Sequence, residues 1–292
     1  MLMKSNPPWA DKALSSIYDR LSDHVDSKWL PVPVGKKKFK EFGCGHYGCV
    51  YPTSTPGIVC KITSDVSEAA FVAAYHKIGK KPEGIVTYYD VLKIAGASHR
   101  KRPVFVLWRE EVQPVTFHAF MVGNSSYTEV ENALVGAKIV AHNARIALLG
   151  IKDANKRIAR AQEALKRMDD VAGWDGIGNS VYVGSRIRSF RSTAEYTDSY
   201  RKRMPKDRFL AWAFYMFSQF TDNLDMSFGI SAGTALRFYF DKGLLLADVH
   251  TANVSLALPD PDYPNDKNWV ISDPGHAVAL THDFDNLVIA EI

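Results

Sequence analysis

Cysteine is scarce in this chain, and the distribution of its few cysteines follows no metal-binding pattern. The three are Cys44, Cys49 and Cys60, and none of them stands in a C-x-x-C pair. They do not make the disulfide framework of a small secreted domain, and their spacing does not match a zinc site. We therefore expect all three to be small packing residues of a protein in a reducing compartment.

Long hydrophobic runs are also missing. The first 16 residues contain no apolar core of the length that a signal peptide needs. The longest apolar run, FLAWAFYMF at residues 209–217, is too short to span a bilayer. These absences predict a cytoplasmic protein without a membrane partner.

A strong charge of either sign is the third absence. The chain has 36 Lys and Arg against 32 Asp and Glu, and this mild excess does not indicate nucleic acid as a substrate. The excess is concentrated in residues 186–208, where eight basic residues stand beside three acidic ones. Such a segment is either a solvated surface or a docking site for an acidic partner, and both interpretations stay open.

The pattern of apolar residues predicts a mixed α and β protein. At 292 residues and 46% hydrophobic content, the chain can bury the core of one large domain or of two lobes. Residues 10–28 have the spacing of an amphipathic helix, and short β-type runs follow from residue 39. A helix whose start is marked by Ser64 and Asp65 interrupts these runs. The predicted order is three strands, one helix and two strands.

The chain becomes helical after residue 116. The pattern there predicts one long helix or two shorter ones with a break near Gly150, and two further helices over residues 206–224 and 230–242. The stretches LLLADVHTANVSLAL and WVISDPGHAVAL then predict short strands around a hairpin.

Residues 43–50, GCGHYGCV, fit the glycine-rich signature G-x-G-x-x-G-x-V. Because the glycines fall between two β-type runs, they suit a hairpin that covers phosphates better than a dinucleotide fingerprint. Without side chains, the backbone amides of such a hairpin approach phosphate oxygens closely. The alternative is an ordinary hairpin with flexible glycines.

Lys61 stands in the apolar strand GIVCKIT, directly after this hairpin. A lone lysine on a strand usually points to water, but a lysine at this place in a kinase pairs the nucleotide phosphates. Glu68, in the first turn of the next helix, is the best acid to hold Lys61 by an ion pair. Alternatively, the negative charge of Glu68 interacts favourably with the positive N-terminal end of that helix.

Two polar loops near the end of the chain complete the pattern. Asp248 and Asn253 have the spacing of the Asp and Asn in the kinase loop H-R-D-L-x-x-x-N, and Asp273 stands in S-D-P-G at the place of the DFG Asp. In that pattern the first Asp accepts the proton of the substrate hydroxyl, while the Asn and the second Asp hold Mg²⁺. Taken singly, each of these is also a common turn residue.

With these motifs in this order, residues 39–278 resemble the protein-kinase-like superfamily. FGCGHYGCVY, GIVCKIT, ADVHTAN and ISDP are most similar to the early serine/threonine protein kinases of T-odd podophages. The resemblance implies an α+β, two-lobed fold. Residues 1–38 would form an N-terminal helix, residues 39–111 an N-lobe with a five-stranded antiparallel sheet, and residues 112–292 a helical C-lobe.

The resemblance also implies ATP and Mg²⁺ between the lobes. Catalytic roles fall to Asp248 as base, Lys61 as phosphate partner and His250 beside the transferred group, and Asn253 and Asp273 bind the metal. Adenine would lie against Val50, Val59 and the hinge at residues 108–112. The implied nucleotide-binding residues are Gly43, Gly45, His46, Tyr47, Gly48, Val50, Val59, Lys61, Glu68, Glu110 and Val112.

Several departures from the kinase pattern bear on the acceptor. Leu246 and Ala247 replace His-Arg, and Pro274 replaces Phe, so the usual activation-loop control is not expected. His250 gives the loop the form D-x-H-x-x-N, as in aminoglycoside and choline kinases, where protein kinases have a lysine. The peptide platform after the DFG motif is missing, which makes the basic segment 186–208 the candidate platform for acidic host proteins. Its Ser and Thr residues within 185–199 are candidates for self-phosphorylation.

Three functions follow in order of preference. The first is a serine/threonine protein kinase of an infected bacterium, acting on host transcription or RNA metabolism. The second is a small-molecule phosphotransferase, which D-x-H-x-x-N and the missing platform favour. The third is a non-catalytic binder of a host factor, which the altered His-Arg and Phe positions favour.

Overall fold

The computed structural model describes residues 8–35, 38–45, 47–116, 127–172, 202, 204–226, 230–258 and 268–292. The protein belongs to the α+β class and divides into two compact units. The first unit comprises residues 1–81, 86–112 and 287–292, and the second comprises residues 82–85 and 113–286.

The first unit is built on a five-stranded antiparallel sheet with one helix between its third and fourth strands, as predicted. A small ribbon of β1 (Pro33–Gly35) and β2 (Lys38–Phe39) precedes it. The sheet has the order β3-β4-β5-β7-β6. Its strands are β3 (Gly43–Cys44), β4 (Gly48–Pro52), β5 (Ile58–Thr63), β6 (Tyr88–His99) and β7 (Arg102–Glu110).

One face of this sheet is covered by helix α1 (Pro8–His24), which confirms the predicted amphipathic helix although it ends four residues early. Leu14, Ile17 and Leu21 are almost completely buried, as their helical spacing requires. They share a core with Ile62 and Trp108 of the sheet. A short 3₁₀ turn, Ser27–Trp29, follows α1, and Trp29 accepts a 2.7 Å hydrogen bond from the indole of Trp108.

Helix α2 (Val66–Ile78) begins where the sequence predicts. The Asp65 side chain accepts hydrogen bonds from the backbone amides of Ser67 and Glu68, so it is the N-cap. At the other end Gly79 adopts a φ of 67°, the left-handed conformation that commonly ends helices.

The last residues of the chain run beside β6, an edge strand of the sheet. The amides of Lys93 and Ala95 donate to the carbonyls of Ala290 and Ile292 at 2.8 and 2.7 Å. A 2.9 Å ion pair between Lys93 and Glu291 accompanies this pairing. The backbone groups of this part of β6 are therefore satisfied within the chain.

The second unit is mostly helical. Its helices are α3 (Tyr127–Leu149), α4 (Ala154–Lys166), α5 (Met168–Ala172), α6 (Lys206–Met226) and α7 (Ala232–Asp241). The break near Gly150 separates α3 from α4, as predicted. Helix α6 packs against α3 and α7. Gly136 permits the first contact, because a side chain there would meet the Phe220 ring at 2.5 Å.

Five short strands of this part of the chain form two small sheets. Strand β8 (Val112–Thr116) pairs with β10 (Val254–Ala257), which also pairs with β11 (Trp269–Ile271). Strand β9 (Leu244–Leu246) pairs with β12 (Ala277–Ala279). Val254 lies opposite Ile271, and Leu246 lies opposite Ala277. The loops 247–253 and 272–276 must therefore lie next to each other.

Among the described residues, no helix combines the length and the apolar character that crossing a membrane requires.

Candidate functional site

The glycine hairpin consists of β3, β4 and the turn between them. The amide of Gly45 donates to the carbonyl of Gly48 at 2.8 Å, which closes the turn. A side chain added at Gly43 or Gly45 would meet nothing within 4 Å, whereas one at Gly48 would lie 2.1 Å from the carbonyl oxygen of Ile62. Gly48 is thus required by the packing of the sheet, and the first two glycines border open space. His46 lies outside the described residues.

The cysteine prediction is wrong for two of the three residues. Cys44 and Cys49 form a disulfide with their Cα atoms 4.1 Å apart. They face each other in the β3–β4 pairing, one pair outward from the hydrogen-bonded Gly45 and Gly48. Opposite side chains are closest at such non-hydrogen-bonded pairs. Sequence spacing alone does not reveal this cross-strand register.

Cys60 is the packing residue that the sequence predicts. It is completely buried in the core between the sheet and α1. Burial disfavours the thiolate and raises the pKa of its thiol.

The predicted ion pair between Lys61 and Glu68 is present. Lys61 Nζ lies 2.7 Å from Glu68 Oε1, and the two side chains are only 10% and 1% exposed. The N-cap of α2 fixes the first turn that carries Glu68, and the central strand β5 fixes Lys61. Because removing one partner of a buried ion pair leaves the other charge unpaired and poorly solvated, losing either side chain should destabilise the first unit.

Val50, Val59 and Lys61 lie on one face of the sheet. Val50 stands directly opposite Lys61 in the β4–β5 pairing, and Val59 is two residues before Lys61 on β5. The alternate residues Cys60 and Ile62 face the core on the α1 side. The sheet therefore places two apolar side chains on the same face as the lysine.

The residues predicted at the hinge have other contacts as well. The Trp108 indole is fully buried in the core with α1. The Glu110 carboxylate accepts hydrogen bonds from the amide and hydroxyl of Thr87, both at 3.0 Å. Burial alone would raise the pKa of Glu110, but these bonds and the nearby charge of Lys81 outweigh it and lower the pKa. The Glu110 side chain is thus held by its hydrogen bonds to Thr87. Val112 begins β8.

Tyr47 lies at the turn of the glycine hairpin, where its carbonyl accepts a 2.8 Å hydrogen bond from the amide of Ser64. The Arg102 guanidinium stands 5.1 Å from the centre of the Tyr47 ring. The hairpin turn is therefore attached to the start of β7 and to the segment before α2.

In the second unit, hydrogen bonds connect the two loops that carry the three late polar residues. The Asn253 side-chain amide donates to the carbonyl of Asp248 at 2.7 Å, which closes the loop 247–253. The amide of Ser272, the residue before Asp273, donates to the Asn253 carbonyl at 2.9 Å. Asp248, Asn253 and Asp273 are thus held on two connected loops.

The carboxylate of Asp248 has two partners that sequence reasoning missed. Lys138 Nζ, from the middle of α3, is 3.0 Å from Oδ1, and His276 Nδ1 is 3.5 Å from Oδ2. All three side chains are 28% exposed. His276 directly follows the D-P-G turn, so its position was a usable signal. Lys138 precedes the loop by a large part of the chain and gave none.

Two histidines near Asp248 favour the neutral form. Burial, followed by the charge of Lys138, lowers the pKa of His250, and burial followed by Arg145 lowers the pKa of His142. The Nδ1 atom of His250 accepts a 3.2 Å hydrogen bond from the amide of Ala252. The ring proton of neutral His250 is therefore on Nε2.

A metal ion is implied by the motif at Asn253 and Asp273. In the described part of the chain, no group of three or more His, Cys, Asp or Glu side chains is arranged to hold a metal. The amide and carboxylate oxygens present suit Mg²⁺, which usually takes one or two protein ligands and completes its shell with phosphates and water. The donor set fits that ion and does not fit a structural zinc site.

The predicted docking platform is described only in part. Of residues 186–208, the structure describes residue 202 and residues 204–208. The serines and threonines of 185–199 lie outside the described residues, so their predicted modification stays a prediction.

Comparisons of the chain with models of known protein families, with curated proteins and with solved structures gave no match.

Proposed function

We propose that this protein is an ATP-dependent serine/threonine protein kinase with a two-lobed, kinase-like fold. The observation that carries the proposal is the pair of connected loops in the second unit. They hold Asp248, Asn253 and Asp273 together through the bonds Asn253 to Asp248 and Ser272 to Asn253. A base and two metal ligands in this order are what phosphoryl transfer needs.

In this proposal, residues of the first unit would provide the other groups that phosphoryl transfer needs. Lys61 would neutralise nucleotide phosphate charge and Glu68 would hold it in place, as their 2.7 Å pair allows. The open backbone around Gly43 and Gly45 would cover the phosphates, and Val50 and Val59 would contact adenine. The resemblance supports these assignments.

The reaction uses the Asp248 carboxylate as the acceptor of the hydroxyl proton. The substrate oxygen attacks the γ-phosphorus, the bond from that phosphorus to the bridging oxygen breaks, and ADP leaves. Magnesium, when bound, supplies charge neutralisation, and Asn253 and Asp273 would hold it. The groups of the chain act by positioning and by electrostatic stabilisation.

We propose proteins as the acceptors, and specifically host proteins with acidic surfaces in the cytoplasm of an infected bacterium. The basic segment 186–208 and the resemblance to phage early kinases support this. The resemblance also points to host transcription or RNA metabolism as the process affected.

A small-molecule phosphotransferase is the second candidate. The loop D-x-H-x-x-N favours it, since His250 offers a neutral ring and no full charge at this place. A sequestering protein without catalysis is a weaker candidate, because the chain retains the four polar residues of the kinase pattern, Lys61, Asp248, Asn253 and Asp273.

The test is transfer of the γ-phosphate from labelled Mg·ATP in a bacterial extract. Label should appear in protein, on Ser or Thr by mass spectrometry, and Asp273→Ala should abolish it while circular dichroism stays unchanged. Label in small molecules would favour the second candidate. Equal labelling by wild type and Asp273→Ala would refute the assignment. If a variant lacking Lys61 and Asp273 had the same effect on the host cell as the wild type, the sequestering protein would be favoured.

A further inference from the structure

We propose that Lys138, on helix α3, is the residue that presents a positive charge to the transferred phosphoryl group beside Asp248. The inference rests on the proposed function and adds a residue that none of the motifs contains. It names a phosphate-binding role for a side chain that reaches the site from another element of the second unit.

Lys138 lies close to the carboxylate that is proposed to accept the substrate proton. Lys138 Nζ lies 3.0 Å from the Asp248 carboxylate, the group proposed to accept the hydroxyl proton. The transferred phosphorus must pass close to that hydroxyl, since near-attack geometry brings reacting atoms to roughly 3–3.5 Å. An ammonium group beside Asp248 is therefore within reach of the phosphoryl oxygens.

The Lys138 ammonium group has more hydrogen-bond donors than its pair with Asp248 uses. An ammonium group has three N–H donors, and the only ion pair of Lys138 among the described residues is the one with Asp248. The remaining donors have no protein partner in the described part of the chain. Lys138 is 28% exposed, so these donors are accessible to a ligand.

His250 does not provide the positive charge beside the transferred phosphoryl group. Its Nδ1 accepts a hydrogen bond from the amide of Ala252 at 3.2 Å, which a doubly protonated ring does not permit. The ring can donate from Nε2 but carries no full charge in this arrangement. A lysine, in contrast, offers a compact ammonium group and is a common phosphate ligand.

Helix α3 holds the backbone of Lys138 in place. The neighbouring residues Ala137 and Ile139 are 1% and 7% exposed. The helix packs against α6 and contacts β9, the strand that leads into the Asp248 loop. The backbone of Lys138 is therefore fixed, as a residue that acts by position requires.

The experiment compares wild type with Lys138→Met and Lys138→Arg, and uses Lys152→Met as the matched control. Lys152 is an exposed lysine in the loop after α3. Two quantities are measured for each protein: the dissociation constants for ATP and for ADP with magnesium, and the rate of phosphate transfer. ATP and ADP differ by the γ-phosphate, so a ligand of that group affects ATP alone.

In Lys138→Met, we expect ATP binding to weaken about tenfold, which corresponds to 1.4 kcal/mol, with ADP binding unchanged. The transfer rate should fall by about 100-fold, as when one preorganised donor is removed. Lys138→Arg should recover part of both losses, and Lys152→Met should match wild type.

A purely structural ion pair predicts a different result. It would change ATP and ADP binding equally or not at all, and either outcome in a folded Lys138→Met variant would overturn the inference. Thermal unfolding shows whether the variant is folded, and Lys138→Arg provides a second test if it is not. A wild-type protein that neither binds ATP nor transfers phosphate would overturn the proposed function as well.

Discussion

The lysine–carboxylate pair of the first unit and that of the second unit differ in environment. Lys61 and Glu68, in the first unit, are 2.7 Å apart and 10% and 1% exposed, whereas Lys138 and Asp248, in the second unit, are 3.0 Å apart and both 28% exposed. Removing one member of the buried pair leaves an unpaired charge in a medium that solvates it poorly. In the partly exposed pair, each side chain can exchange its partner for water or a ligand at lower cost. The buried pair is suited to holding Lys61 in one position. The partly exposed pair is suited to letting Lys138 leave Asp248 for a ligand.

The sharpest test of this comparison is Glu68→Ala against Lys138→Met. Glu68→Ala leaves the Lys61 ammonium buried without its partner, and it should lower the free energy of unfolding by about 3–5 kcal/mol. Lys138→Met should change it by no more than about 1 kcal/mol. Urea denaturation of both variants measures these values. Equal losses would contradict the assignment of different roles to the pairs.

The next effect separates the glycines of the hairpin. Gly48→Ala places a methyl group 2.1 Å from the Ile62 carbonyl oxygen, and such overpacking should destabilise the protein by roughly 1–3 kcal/mol. Gly43→Ala is the control, because its added carbon meets nothing within 4 Å. The free energy of unfolding from urea denaturation should be lower for Gly48→Ala than for Gly43→Ala. The reverse order would show that the hairpin does not pack on β5 as described.

The Cys44–Cys49 disulfide should have an effect of the same order. The two cysteines are five residues apart, and closing such a short loop in the unfolded chain is worth about 2 kcal/mol in the chain-entropy model. The double variant Cys44→Ser, Cys49→Ser should unfold at a correspondingly lower urea concentration than the oxidised protein. Adding a reductant should reduce the stability of the wild type and leave the double variant unchanged. An unchanged wild type under full reduction would contradict the prediction.

The smallest expected effect is on the pH dependence of stability. The pKa of His250 and that of His142 are lowered from 6.5, chiefly by burial. The unfolded chain therefore binds protons at a higher pH than the folded one, and stability should be complete above pH 6.5 and fall as the pH drops below it. Substituting both histidines with Gln should flatten this decline in urea denaturation between pH 7 and 5. An equally steep decline in the double variant would assign it to other groups, such as His76.

The elements that the sequence predicted are those with local signals. The α2 N-cap at Asp65, the apolar strand around Lys61 and the helical spacing of Leu14, Ile17 and Leu21 are patterns within short windows, and each appears in the structure as expected. The Lys61–Glu68 pair was also within reach, because a strand and the helix after it are close in the chain.

What the sequence did not predict depends on pairing between distant or opposite residues. The Cys44–Cys49 bond follows from the register of a hairpin, and the Lys138–Asp248 contact follows from the packing of α3 near β9. A motif also does not distinguish Gly48, which packing requires, from Gly43 and Gly45, which border open space. Side-chain pattern carries no information about those contacts.

The pairing of the last residues with β6 has a consequence for self-association. Open edges of β-sheets pair readily with other chains, and proteins cover them to prevent aggregation. Here the carbonyls of Ala290 and Ile292 occupy the amides of Lys93 and Ala95, and the charges of Lys93 and Glu291 flank the seam. Removing residues 287–292 would take these acceptors away from the two amides and open this part of the β6 edge to pairing with a strand from a second molecule.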